Sequence, residues 1–295
     1  MTLTFRVRFR YLIGNALNEW IGMELVVFDL DGTLLNQKQR ISEYTLETLH
    51  KLGERHIAYT VATGRTLHAA KPCLSGHDFR LPHVYKNGVI IWDPGTSDYR
   101  HPNFLTPAEI EAVLEAFATQ DLTPFIFTLE PDNQHAVYHP AILDEHSATL
   151  VKELTDTRQL PVYPLDQIGP GTRITNISAL GPEHAIRQIS DALDEEDHLV
   201  AYLGDAMYTP GRFWLDIHHS AASKGSALSI LKEELGFERI ICFGDGDNDI
   251  SMFSLADESY APANATDEIK GLATATIGHH EDDGIARFLR ERFNL

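Results

Sequence analysis

Cysteine is almost absent: Cys73 and Cys242 are the only two in 295 residues. So few, so far apart, they suggest no disulfide, without forbidding one, and read as small buried apolar residues in a reducing, cytoplasmic setting. Basic residues are also scarce, with 24 Lys and Arg against 43 Asp and Glu and a net charge of −19. Non-specific nucleic-acid binding runs on Lys and Arg neutralising phosphates, so nucleic acid is excluded as a general partner. Long apolar runs are missing too, since nothing approaches the ~18 consecutive apolar residues of a membrane span. What remains is a globular composition, 43% hydrophobic and 23% charged, in a chain long enough for one large domain or two ordinary ones. It names no oligomeric state.

Residues 1–22 stand apart. Phe5, Val7, Phe9 and Tyr11 alternate with Arg6, Arg8 and Arg10, a period of two that suits an amphipathic strand. The YLIGNAL stretch is too short and broken for a signal peptide. The main pattern opens at Met23, so the extension also fits an over-long choice of start codon. A chain beginning at Met23 is then expected to keep its activity and stability.

From Met23 short apolar runs alternate with helical patterns. Leu25–Phe28 precedes a helix expected to start at Ser42, carry Leu46, Leu49 and Leu52 on one side, and stop at Gly53. Ile57–Ala62 reads as a strand, and HVYKNGVIIW as another run broken at Asn87-Gly88. Such alternation implies a Rossmann-like parallel sheet flanked by helices. The middle, about residues 92–216, is punctuated by proline and reads as a smaller inserted α+β unit. PFIFTL, AVYH and RITNISAL are its strands, and Ile186, Ile189 and Leu193 mark one helix face. In RFWLDI the aromatics are expected to pack the core of this insert, so Tyr208, Arg212 and Trp214 are not assigned to a site. The α/β texture then resumes, giving a core of 23–91 and 217–295.

In ELVVFDLDGTLLN, Asp29 and Asp31 close an apolar strand. Asp-Gly is a common turn pair, which accounts for Asp31 but not for Asp29. Side chains two apart on an extended chain point the same way, and ligands of open α/β sheets bind beyond the C-terminal strand ends. Other apolar runs end similarly, in Thr63-Gly64-Arg65, in Asn87-Gly88 and in Gly244-Asp245-Gly246-Asp247-Asn248-Asp249. If these strands are neighbours, Asp29, Asp31, Asp245 and Asp249 gather at one point. Two like charges ~4 Å apart repel by about 4 kcal/mol at an effective dielectric near 20, so such a cluster needs a cation, and all-oxygen ligands favour Mg²⁺. The pairs His218-His219 and His279-His280 are the rival metal ligands; without cysteines they read as surface histidines. Lys224 starts a predicted helix, where a cation is either solvated or faces an anion shared with the helix N-terminus. Thr63, the Gly64 amide and Asn248 are suitable neutral donors to that anion.

In this order D-x-D-G-T (Asp29–Thr33), T-G-R (Thr63–Arg65), S-K-G (Ser223–Gly225) and G-D-x-x-N-D (Gly244–Asp249) resemble the four signature motifs of the haloacid dehalogenase (HAD) superfamily. The long insertion and the NG pair resemble its Cof-like, sugar-phosphatase-type branch (subfamily IIB). The resemblance runs from about Met23 to the C-terminus. It implies that Asp29 is the nucleophile, forming an aspartyl phosphate, and that Asp31 is the acid and then the base. Mg²⁺ would be held by Asp29, the Asp31 carbonyl and Asp245, with Asp249 ligating it or bracing a metal-bound water. Thr63, Gly64, Lys224 and Asn248 would hold phosphate. Arg65 would reach substrate or brace the cap, and Asn87 would contact substrate or only make its turn.

The expected activity is a Mg²⁺-dependent phosphatase of small phosphorylated metabolites, sugar phosphates first among them. A phosphomutase on the same core and a catalytically idle phospho-ligand binder are the alternatives. Residues 92–216 would be the cap that closes over the site and selects the leaving group.

Overall fold

The computed structural model describes residues 24–100, 103–206 and 211–295; residues 1–22 and Tyr208 lie outside them. In β1 (Glu24–Phe28) every residue from Leu25 on is fully buried. Its period of two sends Val26 and Phe28 into one apolar cluster with Leu49, Leu52 and Leu289, and Leu25 and Val27 into another with Leu228, Leu231 and Ile269. Each such side chain contributes roughly 1.5–3 kcal/mol by leaving water. The strand is thereby fixed in register, and Asp29 is delivered to one point.

Helix α1 (Glu43–Glu54) starts as expected, with the Ser42 side chain accepting from the Thr45 amide. It runs through Gly53 instead of stopping there, and His56 takes the left-handed turn at φ +56°. β2 (Ala58–Val61), α2 (Leu67–Leu74), β3 (His83–Tyr85), β4 (Ile90–Asp93) and β5 (Asp98–Arg100) follow. The next segment holds α3 (Pro107–Ala118), β6 (Phe125–Leu129), β7 (His135–His139), α4 (Glu145–Lys152), β8 (Val162–Pro164), β9 (Arg173–Gly181), α5 (Glu183–Leu193), β10 (Leu199–Asp205) and β11 (Phe213–His219). The last contributes α6 (Lys224–Leu235), β12 (Arg239–Phe243), α7 (Ile250–Leu255), β13 (Glu258–Pro262), α8 (Asp267–Leu272), β14 (Ala275–Ile277) and α9 (Gly284–Phe293). Gly236, left-handed at φ +77°, ends α6.

Two compact units result. One holds the chain to Arg100 and again from Ser223; the other is the stretch between, ending at Ala222. The borders expected near 92 and 216 both shift toward the C-terminus, because β4 pairs with β3 and β5 with β4, while β11 continues to His219 in the insert's sheet. The first unit's main sheet has the order β14-β13-β12-β1-β2, all parallel. The second unit's sheet has the order β10-β11-β9-β6-β7-β8, antiparallel except for β7–β8. Helices α3 and α5 cover one of its faces, with Ile186, Ile189 and Leu193 buried as expected.

Two expectations fail, one in the insert and one reaching into both units. Phe213 packs on the core, but Trp214 is 37% exposed: consecutive strand residues face opposite sides, so only one aromatic can enter that core. Its indole lies over Gly204, where a Cβ would stand 3.1 Å from Nε1. The histidine pairs are not simply surface groups either. His218 is fully buried beside the Tyr202 ring, and His219, His279 and His280 are partly buried.

Candidate active site

Parallel strands place all their C-terminal ends on one edge, and the loops after β1, β2 and β12 meet there. Asp29, just past β1, is buried, and its amide donates to the Phe243 carbonyl at 2.9 Å. Lys224, the first residue of α6, is fully buried. Its ammonium donates to Asp29 Oδ1 at 2.5 Å and Asp249 Oδ1 at 2.6 Å. Two carboxylates thus outweigh the helix dipole that disfavours a cation there. Burial lowers the Lys224 pKa, but Asp249 and Asp29 more than offset this, so it lies above the ordinary lysine value.

Asp249 is spent on structure. Its second oxygen accepts from the amides of Asp245 (2.9 Å) and Gly246 (3.0 Å), so both oxygens are engaged and the acidic loop is pinned. Asp245 accepts from the Thr33 hydroxyl at 2.6 Å. Gly32 sits at φ +73°, where a Cβ would lie 2.2 Å from Asp245; only glycine lets the two loops approach this closely.

Asp29, Asp245 and Asp249 are the only three such ligand groups brought together among the described residues, with atoms all within 4.8 Å of one another. The histidine pairs form no such cluster among those residues. Burial raises the Asp29 pKa well above the usual carboxylate range; Lys224 opposes this, and Asp249, Asp245 and Asp31 add to it. Asp245 is pushed up to about 6 by burial and by Asp249. Three carboxylates against one ammonium leave two net negative charges. A divalent cation with all-oxygen ligands fits that deficit.

The neutral donors assemble beside this cluster. Thr63 is buried, its amide donating to the Val84 carbonyl at 3.0 Å. Asn87, left-handed at φ +52°, donates its amide to the Thr63 carbonyl at 3.1 Å. Its side-chain oxygen accepts from Asn248 Nδ2 at 2.9 Å. A Cβ on Gly64 would stand 3.1 Å from Asn87 Oδ1 and 3.6 Å from Asn248 Nδ2, so residues from three motifs touch. Gly88, at φ +98°, presses on the start of α6, where a Cβ would be 2.1 Å from the Ser223 carbonyl oxygen. The NG pair therefore makes its turn and also ties two motifs together. Asp31, partly exposed, is gripped by Arg65, whose Nε and Nη2 donate to it at 2.6 and 2.5 Å.

Sequence reasoning missed Asn264 and read His280 only as a surface histidine. Asn264 donates to the Gly32 carbonyl at 2.7 Å and accepts from the His280 amide at 3.2 Å, while His280 Nδ1 meets the Leu35 carbonyl at 2.9 Å. Together they clasp the loop that carries Asp31 and Thr33. Thr33 itself was inside a recognised motif without an assigned role.

The chain is similar to known proteins over most of its length. The chain is 27% identical over 281 residues to 5-amino-6-(5-phospho-D-ribitylamino)uracil phosphatase YitU of Bacillus subtilis, covering 92% of this chain and 98% of that protein. It is 28% identical over 272 residues to HMP-PP phosphatase of Serratia proteamaculans, covering 90% and 94%. A haloacid dehalogenase-like hydrolase from Bacteroides thetaiotaomicron superposes with a TM-score of 0.73 at 24% identity, over 92% of this chain and 99% of its own. A HAD subclass IIB sugar phosphatase does so with a TM-score of 0.71 at 18% identity, over 92% and 99%; both likenesses speak to the fold. The family profile of the haloacid dehalogenase-like hydrolases matches residues 26–289, nearly all of the described chain, and this protein belongs to that family.

Proposed function

We propose that this protein is a Mg²⁺-dependent phosphatase of small phosphorylated metabolites, with sugar phosphates as the leading class, working through an aspartyl phosphate on Asp29. The chain is a hydrolase by family and its named relatives are phosphatases, so phosphoric monoester hydrolysis is its enzyme class. The observation that carries the finer reading is the buried Asp29–Lys224 pair at 2.5 Å, set beside Asp245 and the donors Thr63, Gly64 and Asn248.

Asp29 Oδ2 has no hydrogen-bond partner among the described residues, which leaves it as the attacking oxygen. It forms the new O–P bond as the bond from phosphorus to the leaving oxygen breaks, and Asp31 gives that oxygen its proton. Water then attacks the same phosphorus and gives its proton to Asp31, releasing phosphate and restoring the Asp29 carboxylate. Lys224, Thr63, the Gly64 amide and Asn248 hold the phosphoryl oxygens. Asp29, Asp245 and the Asp31 carbonyl would hold Mg²⁺, and Asp249 braces the loop. When bound, Mg²⁺ supplies positive charge against the phosphoryl oxygens.

Named relatives of similar identity act on a ribitylaminouracil phosphate, on HMP-PP and on pyridoxal phosphate, so this level of identity selects no substrate. We assign leaving-group selection to the insert as a cap, and the enzyme itself to the cytoplasm, which suits two buried free thiols. Among the described residues no helix is long and apolar enough to cross a membrane.

The test is p-nitrophenyl phosphate with Mg²⁺, followed by a panel of sugar, nucleotide and cofactor phosphates. Turnover with release of inorganic phosphate, lost in EDTA and restored by Mg²⁺, is the expected result. No turnover on any of them would refute the reading, and phosphate returned to the substrate would make the protein a mutase.

A further inference from the structure

We infer that Arg65 is a positioning residue for Asp31, holding the carboxylate that moves the protons; this rests on the acid/base reading of Asp31 above. The two side chains are unequal partners. Arg65 is 13% exposed and Asp31 is 41% exposed. The guanidinium is anchored from behind, with Nη1 donating to the Ala69 carbonyl at 3.1 Å and to Cys73 Sγ at 3.2 Å. Nη2 also reaches Gln39 Oε1 at 3.2 Å. Its backbone is pinned as well, the amide donating to Thr63 Oγ1 at 3.1 Å and the carbonyl accepting from the Lys86 amide at 3.0 Å. Asp31, by contrast, has no hydrogen-bond partner other than Arg65 among the described residues. The arginine is the fixed part, and the carboxylate is what it presents.

Stability alone is a weak reason for this construction. An ion pair with one partner this exposed is worth about 0–1 kcal/mol, too little to call for so many fixed contacts. Asp31 sits in a turn closed by the Leu35 amide on the Leu30 carbonyl, where it and Gly32 (φ +73°) both leave helical φ/ψ, so among the described residues no other side chain aims its carboxylate. The planar fork accounts for arginine in place of lysine. Two parallel bonds set the plane of the carboxylate, and when one opens to free an oxygen for proton transfer, the other keeps the group aimed. A lysine holds at one point and cannot do both.

The experiment measures kcat/KM for 4-nitrophenyl phosphate and phenyl phosphate in wild type, Arg65→Met and Arg65→Lys. This ratio reports the step that expels the leaving group. 4-Nitrophenolate leaves unaided, whereas phenolate needs the proton from Asp31. Both variants are expected to lose less than ~3-fold with 4-nitrophenyl phosphate but ~10–100-fold with phenyl phosphate, part of the 10²–10⁴ that general acid–base catalysis supplies. An equal loss on both substrates would make Arg65 merely structural and overturn the inference, as would full rescue by Arg65→Lys. Absence of wild-type turnover on both substrates would instead remove the phosphatase reading, a separate result.

Discussion

In the first unit β1, β2 and β12 run parallel, and their last residues hand over to loops on a single edge. Asp29, Thr63 and Gly244 each stand just past a strand end. Charge is concentrated there, and Lys224 is buried to answer it. In the second unit neighbouring strands other than β7 and β8 alternate in direction, so no edge collects all their ends. Its polar cluster, where Asn176 donates to Ser178 and both donate to Asp216, lies on a sheet face and contains one carboxylate. Strand direction decides where a fold can afford crowded charge.

The sharpest way to break that comparison is one chemical change made in both units. Asp29→Asn is expected to lower kcat for p-nitrophenyl phosphate by at least ~10⁴, as losing a covalent nucleophile does, with an unchanged circular dichroism spectrum. Asp216→Asn is expected to leave that turnover within about 3-fold, because Asp216 belongs to the other unit and takes no part in the proposed chemistry. Comparable losses would erase the distinction.

Removing the ammonium comes next. Lys224→Met leaves Asp29 and Asp249 buried without their cation, and breaking such a pair by one partner costs about 3–5 kcal/mol. Denaturant unfolding should register this loss, and Mg²⁺ should recover part of it. A loss below about 1 kcal/mol, the worth of a surface ion pair, would show the cluster to be solvated.

The site was legible where chemistry coincides with a break in local pattern. Asp29, Thr63 and Asp245 end apolar runs, and Lys224 follows a serine cap, so each stands out locally. Asn264 and His280 do not, because their partners are the Gly32 and Leu35 carbonyls, 232 and 245 positions away. A backbone acceptor leaves no side-chain signature to pair with. The same limit displaced the unit borders: β4 and β5 are ordinary strands in composition, and only the ladder from β3 to β4 to β5 assigns them. Trp214 failed for another reason, since burial was assigned to two consecutive aromatics on one strand.

The smallest of the expected effects concerns His83, in β3 of the first unit. It is buried among Phe79, Tyr85 and Trp92, with Nδ1 2.9 Å from the Tyr85 hydroxyl. Burial pulls its pKa down to about 4 from the ordinary histidine value of 6.5. The unfolded chain takes up that proton below about pH 6.5 and the folded chain only near 4, so the stability it lends is full above 6.5 and fades as pH falls toward 4. The difference amounts to about 3 kcal/mol. His83→Phe should flatten the stability profile across this window; an unchanged slope would assign acid sensitivity to other groups.

The insert is one uninterrupted stretch of chain, joined to the rest by two crossings and furnished with its own apolar clusters. A module so wired can be lengthened, recombined or reshaped over generations while β1 and β12 keep their register. Under the proposed division of labour, an ancestral enzyme could try new leaving groups by redrafting one paragraph of its gene and leaving the flanking text alone.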